Sequence, residues 1–232
     1  MNEGKCEDFV LSFFLFQKKY LPLPSKRNSD MKLLLLSTAD FFIEEDKIVK
    51  ALFEEGLDLL HLRKPDSEPI YSERLLTLLP DEWHNRVIVH QHFYLKEEFQ
   101  LRGIHLTPQN PTPPKNYQGQ LSRSLHSIEE LRTAREGMDY VFLSPVFDSI
   151  TYPERKAAYT HQQLYDATRA GLIDRKVMAA GGINAETLPL LADYGFGGAV
   201  ILGDLWTRFN IHSGLDFKDI ITHFRKLRKA AG

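Results

Sequence analysis

Residues 32–42 read KLLLLSTADFF. A short apolar run bounded by turn-forming residues has the pattern of a buried strand. The turn after this run decides between two architectures. An open doubly wound sheet carries a glycine-rich turn after its first strand, and TADFF contains no glycine. Further runs of the same kind lie downstream at 57–63 (LDLLHLR), 86–90 (RVIVH), 103–107 (GIHLT), 121–126 (LSRSLH), 139–144 (DYVFLS), 176–180 (KVMAA) and 197–202 (GGAVIL). With 32–37 that makes eight strands. Segments of 3.6-residue periodicity predict helices over 44–55, 68–79, 94–101, 127–136, 161–170, 184–193 and 216–230. Ser127 with Glu130 has capping-box spacing, and Asn184 suits an N-cap. The proline-rich link 108–120 predicts no regular helix. Repeated βα units imply parallel strands covered by helices. The expectation is an α/β protein with a single (β/α)8 TIM barrel over residues 31–232, the open doubly wound sheet being the alternative.

Composition narrows the function classes. The chain has 232 residues, 43% hydrophobic and 26% charged, with a formal net charge of −2. Such values exclude collagen-like, disordered and disulfide-scaffold proteins. The charge balance argues against nucleic-acid binding through a global positive field. Cys6 is the single cysteine, which excludes an internal disulfide framework and fits a reducing, cytoplasmic location. No apolar run approaches the ~20 residues of a membrane span. Residues 1–30 differ from the rest: FVLSFFLF at 9–16 is followed by basic residues and turn formers. The start, MNEGKCED, holds three acids and one lysine, unlike a secretory signal. This segment is expected to be an extension that is poorly ordered or lies upstream of a true start at Met31.

Polar residues collect at the carboxyl ends of the strands, where barrels of this kind place their active sites. Strand 2 ends in His61-Leu-Arg63-Lys64 and strand 3 in His90-Gln91-His92, while strand 4 contains His105. Strand 5 ends in Ser124-Leu-His126, strand 7 in Gly181-Gly182 and strand 8 in Gly203-Asp204. Strand residues two apart share a face, so His61 with Arg63, His90 with His92, and Ser124 with His126 are expected to project together. Arg63 is placed to take a phosphate bidentately. Glycines let backbone approach a ligand closely, and loops 7 and 8 form the usual phosphate site of this fold. The long loop 145–160 adds Ser149, Thr151 and Thr160 as hydroxyls for an anion. The plain alternatives are structural histidines, tight turns and a solvated loop.

HLRKP at 61–65, GIHL at 103–106, SLHSIEEL at 124–131, DYVFLSPVF at 139–147 and AAGGI at 179–183 together resemble the thiamine phosphate synthase / TenI-like thiazole tautomerase superfamily. The resemblance runs from about Leu33 to Trp206. It implies a (β/α)8 barrel, a homodimer and thiamine biosynthesis. The synthase joins a pyrimidine diphosphate to a thiazole phosphate and releases diphosphate with Mg2+. By this resemblance His126 is the catalytic residue, and His61, Arg63, His90, Ser124, Ser149, Thr151, Gly181, Gly182 and Gly203 bind substrate or phosphate. No nucleic acid or membrane partner is implied.

The departures from the synthase pattern matter. Its Gln-x-Arg-x-Lys after strand 2 is here His61-Leu-Arg63-Lys64-Pro65. Its magnesium aspartates become Gln91 and Asn110, and the lysine of its strand 6 loop becomes Tyr152. Mg2+ prefers carboxylates with phosphates, and neutral amides hold it weakly. The tautomerase branch needs no metal: His126 would act there as general acid and base, a task imidazole suits near neutrality. Two further readings stay open. One is a binder of phosphorylated ligands without turnover. The other is a metallohydrolase lined by His61, His90, His92, His105 and His126, for which imidazoles suit zinc but only Asp148 and Asp204 offer carboxylates.

Overall fold

The computed structural model describes residues 31–209 and 217–232; the expectation for residues 1–30 lies outside this range. All eight expected strands are present: β1 (Lys32–Leu36), β2 (Leu59–Leu62), β3 (Val87–Val89), β4 (Gly103–Leu106), β5 (Gln120–Leu125), β6 (Tyr140–Leu143), β7 (Val177–Ala180) and β8 (Gly198–Ile201). They run parallel in sequence order. β1 pairs with β8 through Leu34 opposite Val200 and Leu35 opposite Ile201, which closes the TIM barrel.

The leucine run of β1 is continuous because both of its faces are covered. Leu33 and Leu35 join the apolar layer between strands and helices. Leu34 and Leu36 point inside the barrel with Leu59, Tyr140, Phe142, Met178 and Val200. Strand alternation then carries His61 to the interior two residues after Leu59, and His90 two residues after Ile88. Register places His105 beside Ser122, and Ser124 beside Phe142. One parity therefore fills the barrel with apolar groups below and imidazoles above.

The helices are α1 (Glu45–Glu54), α2 (Pro69–Leu78), α3 (Asp81–His84), α4 (Leu95–Glu98), α5 (Ile128–Thr133), α6 (His161–Arg169), α7 (Leu188–Asp193), α8 (Gly203–Trp206) and α9 (Lys218–Ala231). Each longer one buries an apolar stripe; α9 buries Ile220, Phe224, Leu227 and Ala231 at helical spacing. Arg228 of α9 reaches Asp58 at 2.8 Å and the Met31 carbonyl at 3.4 Å, anchoring the entry to β1. Trp206 of α8 donates its indole N–H to the Leu36 carbonyl at 2.8 Å, anchoring the exit. No helix among the described residues is long and apolar enough to cross a membrane.

Three details differ from the sequence reading. The helix expected from 184 begins at Leu188, because the Asn184 side chain first accepts the N–H groups of Glu186 and Thr187 in a tight turn. The Ser127 hydroxyl accepts the Glu130 N–H, yet the Glu130 carboxylate reaches back to the N–H of His126, one residue earlier than a capping box requires. The short helices α3 and α8, four residues each, were not expected.

Candidate active site at the barrel mouth

Three imidazoles meet below the carboxyl ends of β2, β3 and β4. His61, His90 and His105 are 0%, 3% and 1% exposed. His61 Nδ1 lies 3.0 Å from His90 Nε2, and His61 Nε2 lies 2.8 Å from the Tyr140 hydroxyl. The rings of His90 and His105 stack with centroids 4.2 Å apart. His105 Nδ1 meets the Ser122 hydroxyl at 2.9 Å, and its Nε2 meets the Ser124 hydroxyl at 3.0 Å. Both ring nitrogens of His61 and of His105 thus have partners, as buried polar groups require.

Burial holds all three well below the usual histidine range. For His61 the neighbouring His105 adds to the effect. For His90 it is helped by His105, His61 and the Arg63 guanidinium. For His105 burial is joined by Arg123 and Arg63, and the value falls to about 3. The rings are neutral at pH 7. Burial pushes the Tyr140 hydroxyl upward, so it too stays neutral. Tyr140 and Ser122 escaped the sequence reading, although their strand parity with Phe142 and Ser124 was available to find them.

The expected pairs behave differently. Arg63 stands exposed at the end of β2, its backbone pinned by Ser37, whose hydroxyl accepts the Arg63 N–H at 2.9 Å. His61 lies beneath it, out of reach of solvent. His90 and His92 do not project together: the chain turns at His92 with φ 52°, and its Nε2 approaches the Ser67 carbonyl at 3.3 Å. His126 is exposed at the mouth, with Nδ1 3.1 Å from the Ser144 carbonyl. A carbonyl only accepts, so Nδ1 carries a proton and Nε2 is the nitrogen turned away from that bond.

Loop 145–160 folds over the ends of β7 and β8. Thr151 Oγ1 sits where a Cβ on residue 203 would be, 2.3 Å from that position. Gly182 adopts φ 69°, and a Cβ there would lie 2.4 Å from the Asp148 carbonyl oxygen. Gly182 is demanded by close backbone approach and by a left-handed backbone, whereas at Gly203 the close neighbour is the Thr151 side chain. The loop thereby brings Ser149, Thr151, Gly181, Gly182 and Gly203 together. The Ser149 hydroxyl accepts the Tyr152 N–H at 3.1 Å. Asp148 closes the loop on Ala157 N–H and Lys156. Asp204 is buried against His223 and Arg208. Neither carboxylate joins His61, His90 or His105.

Lys64 does not reach the mouth. It is 1% exposed, with Nζ 2.8 Å from both carboxylate oxygens of Glu45, 2.8 Å from the Asp40 carbonyl and 4.3 Å above the Phe41 ring. Burial pushes Glu45 up and Lys64 down, and their contact opposes both movements. The amide oxygen of Gln91 accepts the Lys64 N–H at 3.0 Å. A neutral Gln91 with its oxygen engaged, and a neutral Asn110, form a donor set unsuited to Mg2+.

Comparison with known proteins bears on the same residues. The profile of the TMP-TENI family, thiamine monophosphate synthase, matches residues 35–205. The thiamine phosphate pyrophosphorylase of Bacteroides thetaiotaomicron is 51% identical, with a TM-score of 0.81 over 87% of this chain and 98% of its own. The thiamine phosphate pyrophosphorylase of Pyrococcus furiosus shares the fold at 17% identity, with a TM-score of 0.68 over 88% of this chain and 96% of its own. The thiamine-phosphate synthase of Thermus thermophilus is 32% identical over 97 residues. That stretch covers 40% of this chain and spans under half, 46%, of the curated relative. With strands β2 to β8 and both glycine turns inside the matched span, the chain belongs to the thiamine monophosphate synthase (TMP-TENI) family.

Proposed function

We infer that this chain couples a pyrimidine diphosphate to a thiazole phosphate and releases diphosphate. The observation that carries this is the 51% identity to the Bacteroides pyrophosphorylase across 98% of that chain. The bond between the pyrimidine methylene and the diphosphate oxygen breaks, and diphosphate leaves with the electron pair. The thiazole nitrogen then forms the new bond to the methylene carbon. Arg63, exposed at the end of β2, faces the leaving diphosphate and offsets its charge. The hydroxyls of Ser149 and Thr151, with the backbone at Gly181–Gly182 and Gly203, hold the thiazole phosphate. His90 and Ser124 form the floor and edge of the mouth, and His61 supports His90 from below. The residues at 91 and 110 do not suit Mg2+, so no step is assigned to it. The working unit is a homodimer, in keeping with the resemblance.

A second reading is favoured by one observation: His126 stands exposed at the mouth beside loop 145–160, its Nδ1 tied to the Ser144 carbonyl and its Nε2 turned away from that bond. That arrangement serves a metal-independent thiazole tautomerase, in which His126 takes a proton from the carboxylated thiazole phosphate and returns it elsewhere on the ring.

The test incubates purified chain with pyrimidine diphosphate and thiazole phosphate, with Mg2+ and with EDTA. Thiamine phosphate is the expected product. No product in either arm overturns the coupling reading. The carboxylated thiazole phosphate is then the substrate to try, and phosphate-ligand binding without turnover of either would mark a binder.

A further inference from the structure

The interior of a barrel of this kind is ordinarily packed with branched apolar side chains. Here three imidazoles occupy one level of it. We propose that His61, His90 and His105 form a tris-imidazole site for a single divalent transition ion of the zinc, cobalt or nickel kind. The proposal shares His61, His90 and Ser124 with the floor of the mouth, but it draws on neither Arg63 nor the phosphate loops, and its test reads metal uptake rather than coupling.

Geometry carries it. One ligand atom from each of the three rings lies within 4.8 Å of the other two. Each outward nitrogen of His61 and His105 is held by a hydroxyl: Tyr140 on His61 Nε2, Ser122 on His105 Nδ1. Ligand imidazoles are oriented in this way by their second nitrogen. His61 Nδ1 and His90 Nε2, 3.0 Å apart, share one proton. An ion bound at ~2.0–2.1 Å from each nitrogen needs them only a few tenths of an ångström further apart. The ion takes the place of that proton, which moves to the outer nitrogen of the same ring so that each imidazole stays neutral. His105 must turn out of its stack with His90 and release Ser124, which brings its Nε2 to the ion. Water from the mouth supplies the fourth ligand. Three neutral nitrogens without a carboxylate select borderline transition ions over Mg2+ or Ca2+. His92 and His126 lie outside the group, and Asp148 and Asp204 are engaged elsewhere. The site is therefore narrower than the five-histidine set read from the sequence.

The experiment titrates metal-stripped full-length protein with Co2+ alone, reading visible d–d absorption, and then displaces it with Zn2+. One equivalent of Co2+ with tetrahedral absorption is expected. His105→Gln should weaken binding at least 100-fold, Tyr140→Phe by about 10- to 100-fold, and His92→Gln not at all. Circular dichroism checks the fold of each variant. If His105→Gln does not fold, His90→Gln replaces it. A wild-type protein that takes up no stoichiometric Co2+ overturns the site whatever the variants do. So does unchanged affinity in folded His105→Gln, which would place the ion elsewhere on the chain.

Discussion

At the residue scale, Gly182 and His126 make opposite demands. Gly182 has φ 69° and a backbone oxygen 2.4 Å from where its Cβ would stand, so alanine is strained twice. Gly182→Ala should cost about 1–3 kcal/mol from the left-handed backbone and should push loop 145–160 outward. The check is a lower denaturation midpoint together with faster proteolysis inside that loop. Among the described residues, His126 is held through its Nδ1–H to the Ser144 carbonyl and its backbone N–H to Glu130. Its removal should leave folding intact. If the tautomerase reading holds, His126→Ala should lower turnover of the carboxylated thiazole phosphate by about 10²–10⁴-fold. Affinity for the phosphate ligand should stay unchanged. Equal turnover in the variant removes His126 as the base.

At the element scale, the buried Lys64–Glu45 pair fixes the end of β2 to α1 and, through Asp40 and Thr38, to the loop after β1. Lys64→Met alone leaves the Glu45 carboxyl buried without its cation, and should destabilise by about 3–5 kcal/mol. Adding Glu45→Leu should recover much of that loss, and urea midpoints of both variants decide the matter. A double variant no better than the single one would show that the pair is worth more than its desolvation. Elements were legible to different degrees. The eight strands could be read because parallel strands covered on both sides leave unbroken apolar runs, as in KLLLL. α3 and α8 could not, since four residues carry no helical period. Strand parity delivered His61, His90 and His105, but parity ends with the strand. His92 sits past it at a positive φ and turns away. Lys64 read as a displaced active-site lysine because nothing local in HLRKP announces a carboxylate nineteen residues upstream, at Glu45.

At the scale of the whole molecule, the buried imidazoles make stability depend on pH. Their folded pKa lies well below the ordinary 6.5, so the unfolded chain binds more protons in the interval between the two values. Stability from these groups is full above pH 6.5 and declines as pH falls below it. The slope reaches about 1.4 kcal/mol per pH unit for each imidazole. Melting temperatures of metal-free protein from pH 7.5 to 5.5 should fall, and His105→Gln should flatten the decline. A flat profile in the wild type contradicts the burial of these rings. The line Tyr140–His61–His90 has one more consequence. If the tyrosine donates to Nε2 of His61, then His61 must donate from Nδ1 and His90 must carry its proton on Nδ1; if the tyrosine accepts, every position reverses. Three residues on three strands therefore store a single binary choice of tautomer, and nitrogen-15 chemical shifts at any one of them report the state of all.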